Sequence, residues 1–207
     1  MRAALSGRVV GMSNRSKVLR TLLVLGIVAC IAGAGVFSAF SSKTENPGNV
    51  ITAGTVTLKD DDGGSALYAL NAAKPGDSQT SCIDVSYTGS LPATVKLFTQ
   101  PPVGELGPYV TLKVEAGTQT TPSFPGCEGF TAYTTGGTVY EGTLAAFAAA
   151  NNSFANGIDT NPTGQTRWES GNSVVYRFTA TLAATAPEAA QGKTTGTHAI
   201  VWEAQNQ

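Results

Sequence analysis

The chain has 207 residues, of which 13% are charged and 42% hydrophobic, with 24 glycines and 27 threonines. That is too apolar and too weakly charged for a disordered chain, and the length suits one domain of ordinary size. The formal charge of −1 hides a split: residues 1–38 carry Arg2, Arg8, Arg15, Lys17 and Arg20 and no acid, which leaves eight basic and fourteen acidic side chains after them, a net of −6. A body without a basic patch argues against nucleic acid as a partner, because phosphate neutralisation needs clustered Lys or Arg.

Residues 1–20 are polar and basic, and residues 21–37 form an uncharged, apolar stretch of 17 that ends in small residues. This is short for a membrane span, and Gly26, Gly33 and Gly35 weaken it as a lasting helix. Basic flank, apolar stretch and small residues predict a secretory signal peptide over 1–38, cut between Ser38 and Ala39. Cutting after Ala34 and retention as an anchor are the alternatives, and the membrane is expected as a partner only through an uncleaved leader. Ile27-Val28-Ala29-Cys30 also has the form of a lipobox, which would lipidate Cys30. The apolar residues 31–37 after it are unlike the polar tether of a lipoprotein.

Beyond the leader, period-two alternation dominates. Val56 and Leu58 alternate with polar residues in 55–59; Ile83, Val85 and Tyr87 in 82–88; Ala93, Val95 and Leu97 in 93–98. The pattern continues with Val110, Leu112 and Val114 in 109–115, and with Val174, Tyr176, Phe178, Ala180 and Leu182 in 173–182. The last run, 197–204, places His198, Ile200, Trp202 and Ala204 on one face. Repeated half-buried strands with Gly, Pro and Asp between them predict an all-β, antiparallel two-sheet sandwich over 51–207, without internal repeats. The many threonines fit, since β-branched residues pack well on a pleated surface.

Turn chemistry punctuates these runs. Asp60-Asp61-Asp62-Gly63-Gly64 reads as a solvated turn whose carboxylates repel; calcium is the alternative, although the spaced ligands of an EF-hand are missing. Lys74-Pro75-Gly76-Asp77 is a second turn, and Thr88-Gly89-Ser90-Leu91-Pro92 reads as a hairpin connection. One short helix is predicted at 143–150 with Thr143 as its cap, and a helical turn after Thr185, where Thr185-x-x-Glu188 has capping-box spacing and Gly192 could close it. Residues 151–171, rich in Asn, Gly, Pro and Thr, read as a long surface excursion.

Two cysteines remain after the leader, Cys82 and Cys127, and an even pair in an exported chain suggests one disulfide. Two free thiols are the alternative, because sequence does not show whether the pair lies within bonding distance.

The order of motifs resembles the TasA/camelysin family. The residues that carry the resemblance are 35–41 (Gly-Val-Phe-Ser-Ala-Phe-Ser), 48–58 from Gly48-Asn49-Val50 to Leu58, Lys74-Pro75-Gly76-Asp77 leading to the Cys82 strand, Tyr87-Thr88-Gly89-Ser90, and the closing Trp202-Glu203-Ala204-Gln205. The resemblance implies a jelly-roll-like sandwich and export with cleavage by a SipW-type signal peptidase at Ser38/Ala39; with the helical segments read above, the expected fold is such a sandwich with one or two short helices. The resemblance also implies a structural role at the cell surface or in the biofilm matrix, with copies of itself or other matrix proteins as partners. In the filament-forming members the mature N-terminal segment supplies a strand to the next subunit; here that donor would span 39–50, beginning at Ala39-Phe40 and running toward Val50. Phe40 is the natural anchor, while Pro47 lacks an amide donor and Gly48 weakens a strand.

Camelysin is classed as a metallopeptidase, so surface proteolysis is a rival reading. The chain has no His-Glu-x-x-His motif, and His198 is its single histidine, set in an apolar alternation. No nucleophile elbow accompanies it. No catalytic residue, metal ligand or cofactor is therefore expected. A third reading is a monomeric surface binding module that uses the 151–171 loops.

Overall fold

The computed structural model describes residues 54–206, which fall within the compact unit Ala53–Gln207. Cys30, the Ser38/Ala39 junction and the donor segment with Phe40 and Val50 lie outside the described residues. Nine strands occur among the described residues: β1 (Leu58–Asp60), β2 (Ser78–Tyr87), β3 (Thr94–Gln100), β4 (Val110–Gln119), β5 (Phe130–Ala132), β6 (Thr138–Thr143), β7 (Ile158–Asp159), β8 (Ser173–Leu182) and β9 (Ala199–Gln205). One α-helix, α1 (Leu144–Ala150), and 3₁₀ turns at Gly107–Tyr109, Phe154–Asn156 and Glu188–Ala190 join them.

The strands form an antiparallel two-sheet sandwich. The larger sheet runs β1-β2-β8-β4, with β5 and β6 both paired to β4, and the smaller runs β7-β3-β9. Each predicted alternation turns its apolar face into the space between them. Ile83, Val85 and Tyr87 of β2, Val110, Leu112 and Val114 of β4, and the alternating Val174, Tyr176, Phe178, Ala180 and Leu182 of β8 are all buried. They meet Val95 and Leu97 of β3, while Trp202 of β9 packs on Tyr176 at 5.3 Å and Phe178 at 5.7 Å between ring centroids. Removing this apolar surface from water is the main force that closes the sandwich.

The helix forms where the sequence places it. Thr143 holds an extended conformation (φ −79°, ψ 149°), and its hydroxyl accepts from the Ala146 amide at 3.1 Å. That satisfies one of the free donors of the first turn. Leu144, Phe147 and Ala148 form the buried face.

Four expectations change. The 88–92 segment is not a hairpin: β2 and β3 lie in different sheets, and the connection crosses from one to the other. Before crossing it follows the chain ahead of β1, with Thr88 N bonded to Thr57 O at 2.9 Å and Ser90 N to Thr55 O at 2.9 Å. The turn after Thr185 is a 3₁₀ turn that starts at Glu188 behind Pro187, with no side-chain cap, so the capping box does not form; Gly192 does follow it with φ 70°. Residues 151–171 are not merely a surface excursion. They contain β7, and Trp168 is fully buried in the core.

The fourth concerns the acidic turn. Asp61 is a latch rather than one more solvated carboxylate: its Oδ1 accepts from Asp84 N at 2.9 Å and its Oδ2 from Phe124 N at 3.1 Å. Asp60 fits the repulsion reading better, since burial first and then the charge of Asp62 raise its pKa above 3.8.

On the outer face of the larger sheet, Ser78 bonds Thr181 at 2.8 Å and Thr80 bonds Thr179 at 3.1 Å across β2 and β8. Beside them the buried Glu115 accepts twice from Arg177, from Nε at 2.9 Å and Nη2 at 2.7 Å, and lies 3.2 Å from Lys113 Nζ. The Arg177 guanidinium also sits 4.5 Å over the Phe130 ring. Burial alone would raise the Glu115 pKa, but the bonds from Arg177 and Lys113 outweigh it and hold the carboxyl below its ordinary 4.5. A depressed carboxylate stabilises the fold above the unfolded-state pKa, and that contribution disappears as pH falls through the folded value. Glu115→Gln is therefore expected to cost about 1–3 kcal/mol at neutral pH, with the gap to the parent closing in acid. Urea unfolding across pH 2–7 measures this, and a gap that widens in acid would contradict the assignment.

Candidate functional site

Sheet edges are where a β-sandwich meets other chains, and most edges here are guarded. Along β2, the strand β1 covers only Val85–Tyr87. Beyond it Asp61 takes the Asp84 amide and Pro125 O takes the Cys82 amide at 3.1 Å. The second edge of β3 is occupied by β7, by Thr160 N bonding Val95 O at 3.0 Å, and by Asn151 O accepting from Thr99 N at 3.0 Å.

Two longer free edges remain among the described residues. The β5/β6 edge is broken by the turn at 133–137, where Gly136 has φ 72° and a Cβ on Gly137 would run into the Tyr133 carbonyl. By contrast β9 is unbroken over seven residues and, among the described strands, pairs only with β3, from Ala199↔Gln100 to Gln205↔Thr94.

At the start of β9 lies a cleft of about 690 Å³ between segments 62–73 and 193–200. Core side chains form its floor: Val110, Leu144, Ala180, Leu182 and Ile200. The cleft exists because β1 stops after three residues, so an irregular segment with buried Leu67, not a strand, closes the sandwich there. Tyr68 from that segment donates its hydroxyl to His198 Nε2 at 2.7 Å, and their rings lie 5.6 Å apart. His198 Nδ1 lies 3.1 Å from Gly196 O. Since a carbonyl only accepts, Nδ1 is the donor to Gly196 O, and Nε2 accepts the hydrogen bond from the phenol. Burial pushes the Tyr68 pKa strongly upward, which keeps the phenol a donor.

The predicted site residues fare differently. Cys82 and Cys127 are joined in a disulfide with Cα atoms 5.1 Å apart. His198 lies just ahead of β9 with both ring nitrogens engaged. Among the described residues no group of three or more His, Cys, Asp or Glu is placed to hold a metal ion, and no helix is long and apolar enough to cross a membrane. No family model and no curated protein matches the chain.

Sequence reasoning missed the Tyr68–His198 pair and the Asp61 latch, which join residues 130 and 63 positions from their partners. It also missed β5, β6 and β7. A lone Trp in a polar segment was the one available sign that 151–171 is anchored.

Proposed function

We propose that this chain is an exported, non-enzymatic structural protein of the cell surface or matrix, which assembles with copies of itself by strand addition to β9. The observation that carries the reading is the seven-residue β9 edge, which pairs with no other described strand than β3, with a cleft of apolar floor at its start. An arriving strand would gain main-chain hydrogen bonds from the edge, and alternate side chains would find pockets. The donor is the segment 39–50 of another copy, released by cleavage at Ser38/Ala39, with Phe40 as the apolar anchor. The disulfide suits the oxidising conditions outside a cell. The two engaged nitrogens of His198 favour a structural role for that residue over metal ligation.

Purified protein beginning at Ala39 is expected to form filaments in electron micrographs and to elute above monomer size. Deleting 39–50 should leave a monomer. A synthetic peptide of 39–50 added to that monomer should shift the amide resonances of Ala199–Gln205. Protein from Ala39 that stays monomeric at high concentration would sink the proposal, as would filaments that survive the deletion.

A further inference from the structure

The segment that guards the second edge of β3 contains a reactive dipeptide. The 3₁₀ turn Phe154–Asn156 leads through Gly157 directly into β7, which pairs Ile158 with Leu97 and Asp159 with Lys96. Asn156 is the one asparagine of the chain that is followed by glycine. The order matters because the amide nitrogen of the next residue attacks the side-chain carbonyl carbon of asparagine and closes a succinimide ring. A side chain on that next residue hinders the approach, and proline has no N–H to give up. Every other asparagine here precedes proline or a residue with a side chain.

The local structure leaves the reaction open. Asn156 is exposed, and its Nδ2 donates to Asn152 Oδ1 at 3.2 Å in an exposed bond. The turn buries no residue and has no side-chain cap. It is closed by Asn156 N on Ser153 O at 3.1 Å and by Gly157 N on Phe154 O at 3.3 Å, which is long for a backbone bond. A short exposed turn of this kind opens at the low end of the local stability range, and opening frees the Gly157 amide. Glycine is also favoured at 157 by packing: a Cβ there would crowd Lys96 Cβ at 3.0 Å and Leu97 O at 3.1 Å.

We propose that Asn156 is a site of spontaneous succinimide formation, and that the product loosens β7 from β3. The Gly157 nitrogen loses its proton to base and bonds to Asn156 Cγ. The Cγ–Nδ2 bond breaks, and ammonia leaves with a proton returned from solvent. Water then opens the ring at one carbonyl or the other. One route gives aspartate at 156. The other gives isoaspartate, whose main chain runs through the former side chain and is longer by one methylene. Either product puts a carboxylate oxygen where a donor faced Asn152 Oδ1. Isoaspartate also lengthens the chain just ahead of β7, where the close approach of Gly157 to Lys96 and Leu97 leaves no slack. The site uses neither β9 nor the segment 39–50, so it stands or falls independently of the assembly reading.

The test incubates the full chain at 37 °C and mildly alkaline pH, folded and in urea, followed by peptide mapping. The peptide that holds Asn156 should gain about 1 Da and split into two chromatographic products. In the folded chain it should convert ahead of Asn152 and Asn172, at a rate within about tenfold of that in urea. Aged protein should show faster amide exchange at Leu97 than fresh protein. Asn156→Gln, which needs a larger ring to react, should keep both its mass and its exchange rate. An Asn156 that stays intact in the folded chain while the urea sample converts would overturn the proposal. Earlier conversion at Asn152 or Asn172 would do the same, and conversion without faster exchange at Leu97 would refute the loosening of β7. The mass result needs no variant, so it holds even where Asn156→Gln fails to fold.

Discussion

Replacing both Cys82 and Cys127 with serine is expected to lower the unfolding free energy by about 4 kcal/mol, since the bond closes a loop of 46 residues. Against a typical total of about 5–15 kcal/mol, this is a large fraction. The position of the bridge sharpens the expectation. Cys82 points to the outer face of the larger sheet, while Cys127 belongs to the 120–129 connection between β4 and β5. That connection reaches the edge of β2, where Pro125 O accepts from Cys82 N and Phe124 N donates to Asp61. The disulfide thus ties down the segment that blocks the β2 edge. Loss of the bond should speed amide exchange at positions 82 and 84 more than at the β4–β8 ladder. It should also promote association through β2, a route that does not need residues 39–50. Guanidinium unfolding with and without reductant, combined with hydrogen exchange, measures both effects. Equal midpoints in the two redox states would contradict the stability claim, and uniform exchange rates would contradict the edge guard.

Trp168→Ala should cost about 3–5 kcal/mol, the range for truncating a large buried aromatic residue. Trp168 is 0% exposed, and its backbone pairs both ways with Ala93: Trp168 N to Ala93 O at 2.8 Å and Ala93 N to Trp168 O at 3.0 Å. Its indole N–H also reaches Thr160 O. One residue therefore anchors the polar segment after β7 to the start of β3. Truncation opens a cavity and removes the donor to Thr160 together. Trp168→Phe keeps most of the bulk and should cost about 1–2 kcal/mol through the lost hydrogen bond and partial cavity. Chemical denaturation of the three proteins gives the ranking. An alanine variant as stable as the phenylalanine variant would show that the side chain is less tightly held than its burial indicates.

Much of the fold was legible because the sandwich is made of half-buried strands. The predicted run 173–182 coincides with β8, a central strand of the larger sheet, where the pleat puts alternate residues on the core face, although Val175 on the other face is buried too. Thr143 was legible as a cap because capping is decided within one turn. The short strands were not legible. β5 and β6 carry Gly, Tyr and Thr without a consistent period, and β7 is two residues long. Their strand character comes from pairing with β4 and β3, not from their own pattern.

The candidate sites were less legible still. Alternation located the last run but did not show that β9 lies at the end of the smaller sheet's described strands, because strand order is a property of the whole sheet. The hairpin expected at 88–92 failed for the same reason: turn residues report that the chain bends, not which sheet it enters next. The cleft at the start of β9 depends on β1 ending early and on two segments meeting that lie more than a hundred residues apart in the chain.

The sequence by itself determined the split between a basic and then apolar N-terminal stretch and a weakly acidic body. It also determined the strand faces and the pair of cysteines, because charge, periodicity and composition are local quantities. Only the tertiary structure decided that the cysteines meet, that Trp168 is core, that Asp61 closes one edge and that β9 pairs with β3 alone among the described strands. Each depends on which distant backbone groups find partners, and hydrogen-bond satisfaction is settled by the assembled sheets rather than by any one segment.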